Sequence, residues 1–244
     1  MTDRTVLELT GPDRVDFLQG LITNDMKKAE GAILYAALLT PQGKYIADFF
    51  VVGTGDSHLI DVATPLAPLL QQRLTMYRLR SDVQINQTDL VVSRGTGPIP
   101  AGAVADPRHP ALGWRHYGPE DIGDETDWEA LRVAHLIPEQ GTELTPETYI
   151  LEAGFERLNG VDFRKGCFVG QEIVARMKHK TTLRKGLARV RIDGPASPGD
   201  EITSDGKPIG QLHTVSGHEG IAYLRFDRAD GDMQAGEATL TRLP

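Results

Sequence analysis

The sequence predicts an α+β fold closed by a small all-β module. Helical and strand periodicities interleave through residues 1–183, and beyond Arg184 short strand-like runs take over at close spacing. Thr10-Gly11-Pro12-Asp13 opens a helix, with Pro12 suited to its first turn and Val15, Leu18, Leu21 and Ile22 forming an apolar stripe. Residues 33–39 and 44–52 are strand-like, and Thr40-Pro41-Gln42-Gly43 joins them with proline early and glycine late, as a hairpin turn requires. Residues 56–61 read as another strand. Thr64-Pro65 then starts a helix running to Leu74, with Leu66, Leu69, Leu70 and Leu74 expected on one apolar face. Short strands are expected at 83–85 and 90–93, whereas the Gly- and Pro-rich segment 95–123 reads as long loops. A helix over about 127–136 is stopped by Pro138, and Thr145-Pro146-Glu147 caps a short segment leading to residue 165. Strands at 186–192, 201–203, 208–215, 221–226 and 237–243, punctuated by Asp205-Gly206, Ser216-Gly217 and Asp230-Gly231, predict a small antiparallel barrel or sandwich. The domain boundary falls at about 184. Residues 1–183 are expected to form two interleaved subdomains split near 50 and 140, and 184–244 the all-β module.

Composition narrows the functional classes. With 40% hydrophobic and 25% charged residues, the chain has the material for a folded core. One cysteine excludes an intramolecular disulfide and suits a reducing compartment. The opening Met1-Thr2-Asp3-Arg4-Thr5-Val6 has no apolar signal core or acid-free basic presequence, so a cytoplasmic location is expected. No apolar run is long enough to span a bilayer, and no membrane partner is expected. The net charge of −8 is uneven: between Arg164 and Arg191 nine Lys/Arg face one acid, Glu172. That segment suits an anionic partner, although each of these charges taken singly is more simply a solvated surface group.

The basic segment begins at the stretch on which the functional reading turns, Lys165-Gly166-Cys167-Phe168-Val169-Gly170-Gln171-Glu172, followed by Ile173-Val174-Ala175-Arg176. Gly166 to Gly170 read as a tight turn feeding a helix that starts near Gly170 or Gln171. A thiol just ahead of a helix N-terminus, with Lys165 beside it, is expected to have a lowered pKa and to supply thiolate for attack on an electrophile or for metal binding. The alternative is a buried, inert cysteine. Two glycines, a lysine and a Gln-Glu pair are poor material for a plain core, which favours the functional thiol. Glu172 either complements the helix dipole, with Arg176 pairing to it four residues on, or anchors Gln171 and the turn, or faces a ligand.

The Lys-Gly-Cys-Phe/Tyr-x-Gly-Gln-Glu pattern resembles the signature of the YgfZ family, folate-binding proteins that support iron–sulfur cluster assembly and repair and are related to the glycine cleavage T-protein aminomethyltransferase. The resemblance extends to Asp16-Phe17-Leu18-Gln19-Gly20, Thr23-Asn24-Asp25 and Pro41-Gln42-Gly43-Lys44. It continues through Asp106-Pro107-Arg108, Leu112-Gly113-Trp114-Arg115, Glu152-Ala153-Gly154 and Val161-Asp162-Phe163. It implies an aminomethyltransferase-like folate-binding multi-domain fold, tetrahydrofolate or a derivative as cofactor, and iron–sulfur assembly proteins or client iron–sulfur enzymes as partners. T-proteins show two successive aspartates where this chain has Ala47-Asp48. By that alignment the catalytic carboxylate is replaced by Ala47, and Asp48 is its neighbour.

An aminomethyl transfer needs a group that moves a proton at the reacting nitrogen, and a methyl side chain cannot. The expected function is therefore a tetrahydrofolate-binding accessory factor in iron–sulfur assembly, with Cys167 as the candidate catalytic thiol. A folate-dependent aminomethyl or one-carbon transferase is the alternative. A tRNA or nucleic-acid module using residues 164–191 comes third, because the rest of the chain is acidic and aromatic content is 6%. Trp114 and Arg115 are candidates for stacking on a pterin and gripping its glutamate tail, with Asp48 as a third folate contact. The seven histidines lack metal-ligand spacing. One cysteine cannot hold an iron–sulfur cluster within the monomer, which leaves room for a transient cluster that Cys167 shares with a partner.

Overall fold

The computed structural model describes residues 3–179, 182–229 and 231–244. They divide into two compact units, Met1–Thr126 with Phe155–Ala175, and Asp127–Gly154 with Arg176–Pro244.

The first unit is built on a five-stranded antiparallel sheet of β1 (Arg4–Thr10), β2 (Ile33–Leu39), β3 (Tyr45–Gly53), β4 (His58–Ala63) and β5 (Gln84–Gln87), in the order β2-β3-β4-β1-β5. Side chains alternate across a strand, so one face collects Leu7, Leu9, Leu34, Ala36, Leu38, Ala47, Phe49, Val51, Ile60 and Val62. The helices α1 (Arg14–Gln19) and α2 (Ala67–Arg78) cover that face with Phe17, Leu18, Leu70 and Leu74. The opposite face carries Arg4, Tyr35, Asp48, Phe50 and Asp61. β1 has no counterpart in the sequence reading. Placed between β4 and β5, it buries Thr5, Val6 and Leu7 consecutively, and this erases the alternation that marks a strand. Segment 95–123 is also more ordered than expected. It holds β7 (Val104–Ala105) and β8 (Trp114–Gly118), which form a second sheet with β6 (Val91–Gly95) in the order β6-β8-β7. Glycines bracket the five residues of β8 and make them look like a loop, yet they pair with a strand some twenty residues upstream.

In the second unit, β9 (Lys185–Asp193), β10 (Glu201–Ser204), β11 (Lys207–Ser216), β12 (Glu219–Arg225), β13 (Met233–Ala235) and β14 (Ala238–Arg242) close into an antiparallel barrel. Val190, Ile202, Leu212, Leu224, Met233 and Leu240 fill it. The Asp205-Gly206 pair turns β10 into β11 with φ of 50° and 70°, the positive values a two-residue hairpin demands. Asp230 of the expected Asp230-Gly231 turn lies outside the described residues. Helix α3 (Trp128–His135) belongs to the same unit. Its Arg132 donates to Glu143 Oε2 at 3.1 Å and to the Ile137 carbonyl, and Glu143 accepts in turn from Thr214 on β11.

Candidate functional site

Three chain segments far apart in sequence hold the stretch that carries the cysteine. The end of α1 and the residues after it receive the loop that precedes the thiol. Thr23 Oγ1 donates to the Gly160 carbonyl at 2.6 Å while accepting from the Ala37 amide, and the Thr23 carbonyl accepts from Asp162 N. Asn24 Nδ2 donates to the carbonyls of Tyr35 and Asn159 at 2.8 Å each. Lys28 pairs with Asp162 at 2.8 Å, and this contact holds the Asp162 carboxyl below its ordinary pKa. From the middle of the chain, the Pro107 carbonyl accepts from Asn159 Nδ2.

The β2–β3 hairpin supplies the other wall. Helix α4 (Gln171–His179) starts after Gly170, whose carbonyl accepts the Val174 amide. Gly170 adopts φ +82°, and a Cβ there would lie 2.6 Å from the Thr40 carbonyl oxygen. Gly43 at the hairpin tip, φ +74°, would place a Cβ 2.8 Å from that of Ile173. Two glycines thus let the hairpin and the helix start approach backbone to backbone. Gly166 has open space around it and no positive φ, so its lack of a side chain is not required by the turn.

Cys167 itself is exposed and forms no disulfide. Lys165 is buried at 6% exposure and Phe168 at 8%. The Lys165 ammonium donates to the Gln19 carbonyl at 2.7 Å and the Ile22 carbonyl at 2.5 Å, and lies 5.2 Å from the Phe168 ring centre. Burial pushes it down to about 8, partly offset by Asp25 and Asp162. Gln171 Nε2 reaches the Gly166 carbonyl at 3.5 Å, while Glu172 and Arg176 are exposed on α4.

The three residues named for folate have internal partners. Arg115, 1% exposed, donates through Nη2 to Asp61 Oδ2 at 2.5 Å, faces Asp106 at 3.5 Å and lies 4.0 Å from the centre of the Phe50 ring. Burial alone would raise the Asp61 carboxyl, but Arg115 and Arg4 overcome it and hold it well below the usual carboxylate range. Trp114 is buried against Gly95, where a Cβ would fall 2.4 Å from the indole. Its Nε1 has no hydrogen-bond partner among the described residues. Asp48 accepts from Tyr45 Oη at 2.6 Å and from Tyr35 Oη at 2.9 Å. Burial and the Asp48 charge raise both phenols, so they stay protonated donors.

Ala47 and Asp48 occupy opposite faces of β3. Ala47 packs in the apolar core beneath the helices, and Asp48 sits on the face with Tyr35 and Phe50. A carboxylate at position 47 would be driven into Leu and Phe side chains, so the only carboxylate this strand offers to its polar face is at 48. Sequence reasoning did not assign functional weight to Thr23, Asn24 and Gln19 individually. They stand in the motif segments 16–20 and 23–25, but their partners lie more than 130 residues away.

Fold and site together define the class: an aminomethyltransferase-like α+β protein with a closed, six-stranded C-terminal barrel. Residues 1–93 match the GCVT N-terminal domain, and residues 184–244 match the CAF17 C-terminal beta-barrel domain. Among solved structures, glycine cleavage system aminomethyltransferase T from Bartonella henselae superposes with a TM-score of 0.79 over 98% of this chain and 82% of that one, at 12% identity. Its likeness is one of fold. In sequence, the chain is similar to the mitochondrial iron–sulfur cluster assembly factor IBA57 of Mus musculus and of Homo sapiens. Identity to each is 29%, over 94% of this chain and 78% of the relative. The Neurospora crassa homologue is 31% identical over 88% of this chain and 57% of its own length. These relatives are mitochondrial proteins, which overturns the expectation of a cytoplasmic location. The expectation rested on redox compartment and the opening residues, and a reduced lone cysteine suits either compartment.

Proposed function

We propose that the chain is an iron–sulfur cluster assembly factor of YgfZ type that binds a tetrahydrofolate and works through the thiol of Cys167. The carrying observation is the convergence of three sequence-distant segments on the stretch that carries a thiol left in solvent. A core cysteine would be covered, whereas this one is surrounded by support and left open. The IBA57 relatives direct the chemistry toward iron–sulfur assembly, with the cluster as cargo and assembly proteins or client enzymes as partners. One thiolate supplies one ligand, so a transient cluster at Cys167 is completed by the partner's ligands, the thiol losing its proton on binding. The folate arm is supported by the fold class and by Asp48, an acceptor supported by two phenols on the aromatic face of β3. Arg115 is already committed to Asp61, so a glutamate tail would need another cation.

Cys167→Ala tests the reading. An exposed residue is expected to change stability by less than about 0.5 kcal/mol, and folate binding should persist. Support of iron–sulfur enzymes in cells lacking the protein should be lost. Wild-type support by the variant would sink the thiol's role, and no calorimetric signal with millimolar tetrahydrofolate would remove the folate arm. The transferase alternative gains from the orientation of Asp48 toward the polar face. Turnover of an aminomethyl-lipoyl carrier protein, abolished by Asp48→Asn, would favour it.

A further inference from the structure

We propose that Lys165 is a positioning residue that suspends the Cys167 loop from the end of α1, and that it does not act as the thiol's electrostatic activator. The proposal rests on the reading of Cys167 as a working thiol and adds how that thiol is presented. The last carbonyls of a helix lack intrahelical partners and carry partial negative charge. The Gln19 carbonyl belongs to that set, Ile22 follows within one turn, and the Lys165 ammonium takes both. Its methylene stem is buried and its head sits beside the Phe168 ring. Burial along the loop is therefore in, out, out, in, from Lys165 through Gly166 and Cys167 to Phe168. At the far end Gly170 is wedged against the Thr40 carbonyl. The thiol thus lies on a short span held at both ends.

Two features separate holding from activating. The ammonium's N–H groups point at the Gln19 and Ile22 carbonyls, and the nearby carboxylates of Asp25 and Asp162 compensate its charge. An amine also keeps two N–H donors when neutral, so the span stays pinned in either protonation state.

The test compares wild type with Lys165→Met, which removes the donors and the charge, and Lys165→Gln, which removes the charge but keeps two donors. Amide exchange across 166–170 and 19–22 reports the span, and the pH profile of Cys167 alkylation reports the thiol. Lys165→Met is expected to speed exchange of 166–170 about tenfold, as loss of a buried hydrogen-bond pair implies. Its alkylation midpoint should stay where it is in wild type. Lys165→Gln should restore part of the protection and of the support for iron–sulfur enzymes. A midpoint raised by about one pH unit in either variant, with exchange unchanged, would overturn the proposal and make Lys165 the activator. If Lys165→Met does not fold, the midpoint in Lys165→Gln decides. Cys167→Ala is scored separately: its full activity would end the reading of the thiol, while the exchange and alkylation results on Lys165 would still stand.

Discussion

At the residue scale, the chemistry is set by which charges are buried with partners. Asp61 is enclosed with Arg4 and Arg115, at 2.6 and 2.5 Å. Asp61→Asn leaves two guanidiniums short of a counter-charge and is expected to cost about 3–5 kcal/mol in urea unfolding. The sign of the pH dependence follows from the depressed carboxyl. Its stabilisation is complete above the unfolded value of about 3.9 and is lost as pH falls toward the folded value. The acid limb of the wild-type stability curve should therefore be steeper than that of Asp61→Asn, and equal slopes would refute this account. A lone acid in a strand and a lone arginine beside a tryptophan look like ligand contacts when read along the chain. Arg115 was named for a glutamate tail because Asp61, 54 residues away, is invisible to local reading.

At the scale of elements, hairpin, helix start and thiol loop are one construction. The two glycines of the thiol motif look alike in sequence and differ in the structure. Gly170→Ala must relieve both a positive φ and a clash with the Thr40 carbonyl, and is expected to cost about 1–3 kcal/mol. Gly166→Ala meets open space and should change the melting temperature little or raise it slightly. Comparable losses in both variants would mean that the turn, not the contact with the hairpin, sets the geometry. Helices α3 and α4 were legible from capping residues and periodicity, signals that are local. Strands β1 and β8 were not, because burial on both sides and bracketing glycines hide a strand until its partners are known.

For the whole molecule, each unit has its own apolar core and its own buried polar cluster, around Asp61 in the first and Glu143 in the second. Arg132→Met would leave the buried Glu143 carboxylate with only the Thr214 hydroxyl and the Glu139 amide and no counter-charge, and should cost about 3–5 kcal/mol, read by chemical denaturation. A smaller loss would mean that water reaches Glu143. The sequence by itself determined the class of fold, the barrel at the C-terminus and the stretch that matters, because strand spacing, turn pairs and a long motif are written in consecutive residues. Tertiary structure decided what those residues do. It turned Ala47 to the core and Asp48 to the polar face, gave Arg115 to Asp61, and bound Lys165 to the end of α1, leaving Cys167 outside. Those assignments depend on contacts across 13 to 146 residues, and no pattern along the chain encodes which partner a charge will find.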